Sequence, residues 1–560
     1  MAGNRQEVLI LGGGINGAAL ARELAINGVP VTLVESADLA FGATAHSSRL
    51  IHGGLRYLEY GEFDLVRESL AERTRLLRLA PQFVRPLELF IPVENRFGGL
   101  KQSLARFAKL ERWLPGRGGA RGLWLVEAGL WLYDRYARDP TLPRHRAWRH
   151  GAPGTPPVDQ HRYRWLCSYF DAQLRYPERF VLALVADAQA AAAERGATLK
   201  VWTYHEARLR GQEVEIIDGQ SGQIVESLRP AAIVNATGAW VDLTLERLDI
   251  PSRRLMAGTK GSHLVTYNAT LRSALEHGGV YAEAADGRPV FVLPFGPACL
   301  IGTTDLPYSG DPAEAVASPA EVQYLLDTVN AIFPLPGLTP GDVELHYCGV
   351  RPLPASSAAT PGAVTRRHWV EEQPGAPVPT FSVIGGKLTT CRSLAEATAD
   401  LLLARLGRQR VADSRQRIVP GGEDYPPDEQ ELGRRLAALA SSYGLSAEAA
   451  SSVWALWGTR AQHVLKALGS DLQPQILLAG TPLPVSLATW CVRHEHARRL
   501  PDLVERRLML LYQPRLAGTC LAQLAAILAA EGLLDPALAA TAVAQEVQRL
   551  KLQFGKIAVD

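Results

Sequence analysis

The sequence predicts an α/β protein organised around a doubly wound dinucleotide-binding sheet and completed by an all-helical C-terminal part. Three observations predict it. Residues 8–11 (VLIL) and 31–34 (VTLV) read as short buried strands on either side of a glycine turn and a helix. Two further strand–glycine–helix junctions lie far downstream, at 232–240 (AIVNATGAW) and 382–403 (SVIGGKLTTCRSLAEATADLLL). Beyond Glu429 the text is dominated by Ala, Leu, Arg and Glu at helical spacing.

The first junction is the most informative. Gly12 suits the tight turn, Gly14 lets backbone approach a pyrophosphate, and Gly17 lets the helix pack closely on its strand. The helix N-terminus offers unpaired N–H groups to phosphate. Glu35 follows Gly14 by 21 residues, the spacing of a carboxylate that accepts hydrogen bonds from an adenosine ribose. In the second junction the strand ends at Thr237-Gly238, bringing bare backbone to a cofactor at the sheet edge. In the third, Gly386, Lys387, Leu388 and Thr389 lead into a helix; the upstream glycine of a Walker A loop is missing. Three such junctions favour a discontinuous FAD-binding domain over a simple NAD domain. The stretch between Ala40 and Glu59 is too rich in Ser, Gly and His for a core element. Its Thr44, Ser47, Ser48 and Gly54 suit a loop lying along a pyrophosphate and isoalloxazine.

Composition bounds the remaining possibilities. At 560 residues the chain is long enough for about three or four domain-sized units. A net charge of +2 and the absence of a recognition motif argue against nucleic-acid binding. The six cysteines show neither a CxxC pair nor metal-ligand spacing, so reduced, buried thiols and no metal are expected. The N-terminus runs directly into the first strand, which leaves no room for a signal peptide. The longest apolar stretch, 516–530, is too short to span a bilayer and reads as a buried helix.

Two composition shifts divide the chain. Residues 139–162 are rich in Pro, Gly and basic residues, as expected of a long surface connection, and 407–429 are similar. The expected organisation is an FAD-binding domain from 1–85, 160–240 and 345–406, a substrate domain from 86–159 and 241–344, and a helical domain from 407–560. A helix over 178–195 followed by ATLKVW reads as an α-to-β step of the doubly wound sheet.

Four cations stand out: Arg56, Arg351 in HYCGVRPLPAS, Arg366 in GAVTRRHWVEE, and Lys387. Three guanidinium forks and an ammonium equip a site for a small phosphate-bearing substrate. His263, in GTKGSHLVTY, is the leading proton acceptor, since imidazole titrates near neutral pH; His52 is another candidate.

The blocks GGGINGAALA, SSRLIHGGLRYLE, NATGAWVD, KGSH, IGTTD, GVRPL and IGGKLTT, with CVRHEHARRLPDLVERRLML near the C-terminus, resemble the FAD-dependent glycerol-3-phosphate dehydrogenases of the aerobic respiratory type. The resemblance covers nearly the whole chain. It implies a glutathione-reductase-like FAD domain, a substrate domain on an antiparallel sheet and a helical C-terminal domain. It implies oxidation of glycerol 3-phosphate, with Arg56, His263, Arg351, Arg366 and Lys387 around the substrate and a quinone as electron acceptor. One departure is Tyr176-Pro177-Glu178, where the family usually shows Asp-Ala before its helix; another is the second basic residue, Arg367, after Arg366.

Residues 96–121 hold seven Lys/Arg against one acid, Glu111, with Trp113, Trp124 and Trp131 within or just after them. Basic residues interleaved with aromatics suit a segment (96–131) lying in a membrane interface. With the resemblance, this implies a cytoplasmic protein peripherally bound to the inner face of the cytoplasmic membrane. The sequence leaves open a homodimer, oxygen as the electron acceptor, an amino- or hydroxy-acid substrate, and a catalytically silent flavin-binding scaffold or redox sensor.

Overall fold

The computed structural model describes residues 6–95, 122–335, 337–355 and 366–559. The basic stretch 96–121, with Trp113, lies outside the described residues.

Val8–Leu11 is the central strand of a six-stranded sheet. Val31–Glu35 and then Leu199–Thr203 lie parallel on one side; Ala232–Asn235 and Thr380–Ile384 lie parallel on the other. Trp369–Glu372 closes this side as an antiparallel edge. Strand order therefore reverses at the central strand, which opens a crevice at the strands' C-terminal ends. The central strands are buried along their lengths because helices Ile15–Ile26, Pro177–Glu194 and Cys391–Arg405 pack together over the sheet. The helix expected at 178–195 starts one residue earlier, where Pro177 takes the first turn at no cost in hydrogen bonds. It leads into Leu199–Thr203, as the α-to-β step requires.

A second, ten-stranded sheet is mostly antiparallel, with one parallel pairing between Gly279–Glu283 and Val84–Val93. Its strand Thr259–Thr266 pairs with Ala298–Gly302 on one side and Val343–Arg351 on the other. Trp165–Leu174 and Val343–Arg351 fall at the margins of spans assigned from sequence to the FAD-binding domain, yet both pair in this second sheet. Antiparallel pairing joins partners distant in sequence, so composition marks no boundary there. The surface connection expected over 139–162 also contains a strand, Arg146–Arg149, paired with Trp165–Leu174. Its flanking arginines are exposed, as befits a charged edge strand.

After residue 428 the described chain is helical, from Glu429–Tyr443 to Ala539–Phe554. The buried helix expected at 516–530 is Gly518–Ala530, with Cys520, Leu521, Leu524 and Leu528 inward. The helical part shares one apolar cluster with the second sheet, in which Trp454, Leu503 and Leu511 join Leu89, Val265 and Tyr347. All six cysteines are buried and unpaired. No described helix is long and apolar enough to cross a membrane.

Candidate active site

A cavity of about 590 Å³ follows the C-terminal ends of the parallel strands and continues to the second sheet. Its first end is made of backbone. Gly12 has φ +104, and a Cβ there would stand 2.7 Å from the Ala236 carbonyl oxygen. A Cβ on Gly17 would stand 1.9 Å from the Gly12 carbonyl oxygen, so the helix can sit this close only on glycine. Gly14 and Gly238 line the cavity, and a Cβ on Gly238 would meet nothing within 4 Å. The helix starting at Ile15 has no cap from the Gly14 side chain position; the Ile15 N–H donates instead to Thr44 Oγ1 at 3.1 Å.

Glu35, of which a ribose contact is expected, lines this end, and its carboxylate is engaged within the fold. It accepts from the Gly13 N–H at 2.7 Å and the Ala37 N–H at 2.8 Å, bracing the glycine turn. Burial raises its pKa, against the lowering effect of those two amides.

Residues 41–50 form the long wall. Thr44, Ser47 and Ser48 all line it, and Ser47 Oγ donates to the Thr44 carbonyl at 3.2 Å. The third junction meets this wall: Thr389 Oγ1 accepts from the His52 N–H at 3.1 Å. Gly386, Lys387 and Leu388 line the cavity beside it.

The second end is cationic and built from side chains. Arg351 ends its strand, and its guanidinium donates to Asp305 Oδ1 at 3.0 Å, Thr303 Oγ1 at 2.9 Å and the Thr304 carbonyl at 3.0 Å. Arg366 approaches the same Asp305 at 3.9 Å. Lys387 Nζ lies 4.0 Å from the centre of the Tyr57 ring, and this buried ammonium has no hydrogen-bond partner among the described residues. His263 stands on the neighbouring strand, stacked on Tyr347 at 4.9 Å, with Nε2 2.8 Å from Ser48 Oγ. Burial, then Arg351, Arg49 and His46, hold the His263 pKa well below the usual imidazole range. It is therefore neutral, the form that accepts a proton. His52 is also neutral: burial, with Lys387 and Arg366, lowers its pKa to about 3.

The fold thus gathers Glu35, Thr44, Ser47, Ser48, Gly238, His263, Arg351, Arg366, Gly386, Lys387, Leu388 and Thr389 around one cavity, with Gly12 and Gly14. Gly17 and Gly54 support the wall without lining it. Arg56 adjoins the lining in sequence. It lies on the 3₁₀ turn Leu55–Tyr60 and is not part of the lining, whereas its neighbour Tyr57 is. Three residues per turn send the adjacent side chains of Arg56 and Tyr57 in different directions. Sequence reasoning also missed Asp305, although it lies inside the IGTTD block, and Arg49, which was hidden beside Ser48 as one more arginine.

A wall with a bare glycine turn at one end and an unpartnered ammonium at the other fits an extended, anionic dinucleotide cofactor followed by a small anion. The comparisons agree. Residues 7–392 match the family model described as FAD dependent oxidoreductase, and residues 413–537 match that of the C-terminal domain of alpha-glycerophosphate oxidase. The class is therefore a flavoprotein oxidoreductase with FAD as cofactor. The chain is 33% identical over 536 residues to a glycerol-3-phosphate dehydrogenase of Synechocystis, covering 90% of this chain and 88% of that one. It is 31% identical over 525 residues to the aerobic glycerol-3-phosphate dehydrogenase of Escherichia coli, covering 90% and 93%. It is also 34% identical over 448 residues to a D-erythritol 1-phosphate dehydrogenase of Brucella abortus, covering 77% and 80%. The chain belongs to the family of FAD-dependent glycerol-3-phosphate dehydrogenases. Its fold matches a glycerol-3-phosphate dehydrogenase from Bacillus halodurans complexed with FAD, with a TM-score of 0.71 at 21% identity over 98% of this chain and 95% of that one.

Proposed function

We propose that this protein oxidises sn-glycerol 3-phosphate to dihydroxyacetone phosphate and passes the electrons to a membrane quinone. The observation that carries the reading is the cationic end of the cavity, where Arg351, Arg366 and Lys387 share a wall with the neutral imidazole of His263. Forked guanidinium groups suit a phosphate, and a neutral imidazole suits the secondary hydroxyl beside it. The named relatives act on glycerol 3-phosphate and on D-erythritol 1-phosphate, both polyols carrying one phosphate.

Held along the wall lined by Gly12, Gly14, Thr44 and Ser48, FAD would supply the acceptor for the carbon-bound hydrogen and its electron pair. The chain supplies the rest. Arg351 is held by Asp305, Thr303 and Thr304, so its fork arrives already oriented for the phosphate. His263 takes the hydroxyl proton on the side occupied by Ser48. Anaerobic addition of glycerol 3-phosphate should bleach the flavin band near about 450 nm. A silent flavin-binding scaffold would leave the band unchanged, and that outcome would end the reading. Reoxidation by a quinone analogue without peroxide is the expected second step; peroxide in its place would assign oxygen as the acceptor.

The membrane part rests on helix Leu123–Ala137, which follows the basic stretch. Trp124 and Trp131 are 57% and 59% exposed and stand seven residues apart, on one face with exposed Ala128 and Arg135. Indoles exposed on one face beside basic residues suit the headgroup region of the inner leaflet. Co-sedimentation with anionic vesicles at low salt, lost in Trp124→Ala/Trp131→Ala, is the expected result.

A further inference from the structure

Residues 36–49 join the cofactor end of the cavity to the substrate end, and the helical C-terminal domain grips them from behind. Asp38, fully buried, accepts from Arg506 Nε at 2.5 Å and from both terminal nitrogens of Arg507 at 2.6 Å. The Arg506 guanidinium stands 5.8 Å from the Phe41 ring, and the His46 ring stands 6.1 Å from that of Phe554. Arg49 completes the grip. It is wholly buried, with φ +57, and donates to Glu178 at 2.6 and 3.1 Å, to the Ala45 and Arg175 carbonyls, and to the Tyr512 hydroxyl at 2.5 Å.

The chain atoms beside Arg49 reach the reaction. Ser48 Oγ holds His263 Nε2, and the Ser47 carbonyl accepts from the Tyr347 hydroxyl at 2.9 Å. The other ring nitrogen of His263 is buried without a partner, so Ser48 is the contact that fixes this imidazole at its ring nitrogens. Arg49 Nη2 carries two hydrogens and meets three acceptors, the Tyr512 hydroxyl at 2.5 Å, Glu178 at 2.6 Å and the Ala45 carbonyl at 3.2 Å, while its Nε is buried with no hydrogen-bond partner among the described residues, so the shortest contacts set where the fork points. Tyr512 supplies one of the guanidinium's acceptors from another domain, and Glu178 supplies two from the segment where this chain departs from the pattern it resembles.

We infer that Tyr512 is a positioning residue for the Ser48–His263 pair, acting through the Arg49 guanidinium, and that this grip is how the C-terminal domain serves the active site. The kinetic part rests on the proposed oxidation of glycerol 3-phosphate; the structural part does not.

Tyr512→Phe keeps the ring and removes the acceptor. Flavin content and melting temperature should stay at wild-type values while kcat falls about tenfold with KM held within about twofold. In a Ser48→Ala background the same change should cost nothing further, because the two act on one contact. Hydrogen exchange of the amides at 44–49 should quicken in Tyr512→Phe, with or without substrate. Exchange and kcat equal to wild type, or a full additive loss in the Ser48→Ala background, would overturn the inference. If Tyr512→Phe lowers the melting temperature, Glu178→Gln loosens the same guanidinium from its other side and should reproduce the split between kcat and KM. Loss of flavin from both variants would instead make the grip bulk support and overturn it. Should wild type fail to bleach with glycerol 3-phosphate, the functional reading falls while the exchange measurement still decides the positioning.

Discussion

The two ends of the cavity are made in opposite ways. The cofactor end is a backbone device: Gly12, Gly14 and Gly17 lie within one turn and helix start, and the Glu35 carboxylate braces that turn from the next strand. The cationic end, where the proposed substrate would sit, is a side-chain device, assembled from a strand at 259–266, another at 343–351 and two loops near 366 and 387. The first end depends on the absence of Cβ atoms, so it tolerates almost no addition. The second depends on charges held by neighbours, so it should fail by degrees. Small residues serve even there: a Cβ on Gly261 would stand 2.2 Å from Arg351 Nη2, and one on Gly302 would stand 2.2 Å from His263 Cδ2.

The sharpest way to break this comparison is Gly17→Ala. The added methyl meets the Gly12 carbonyl at 1.9 Å, and a rigid turn and a buried helix leave nowhere to move. Overpacking of this kind costs about 1–3 kcal/mol and displaces the turn that faces the pyrophosphate. The expected outcome is purified protein without flavin absorbance and without activity; a yellow, active variant would show that the turn is less constrained than its geometry.

Next in size is Arg351→Ala at the other end. Loss of one charged, hydrogen-bonded contact to a phosphate is worth about 1.5–3 kcal/mol, or about 10- to 150-fold. Steady-state kinetics should show that loss mainly in KM, with flavin content intact. Unchanged KM would remove Arg351 from the substrate site. Coincident loss of flavin would show that the two ends are not independent.

The same contrast explains what the sequence could disclose. A glycine turn, a helix start and an acid on the following strand lie within Gly12–Glu35 and obey one spacing, so the cofactor end was legible from contiguous residues. Arg351 and His263 could be named as chemistry-bearing residues, but their adjacency comes from antiparallel pairing of two strands some ninety residues apart, a separation of the order that only the fold closes. Arg56 shows another limit: a motif names a run of residues, and the 3₁₀ turn decides that Tyr57 in that run lines the cavity. Arg49 was invisible because nothing in a sequence separates a wholly buried arginine from a solvated one; its acceptors, Glu178, Tyr512 and the Ala45 and Arg175 carbonyls, are brought together by the fold.

The smallest expected effect lies where the two ends meet, at His46. Burial, the Arg506, Arg49 and Arg549 guanidinium groups, and an opposing Glu505 leave its pKa at about 4. In an unfolded chain it would titrate near about 6.5. Between those values the unfolded state binds a proton that the folded state refuses, so this residue removes stability as pH falls from about 6.5 to about 4 and contributes nothing to the pH dependence above that window. Its share of the slope is at most about 1.4 kcal/mol per pH unit. His46→Gln should match wild type in urea midpoint at pH 8 and hold its midpoint better at pH 5. Parallel pH curves for the two proteins would mean that His46 titrates alike in the folded and unfolded states, with Glu505 offsetting burial and the three guanidinium groups.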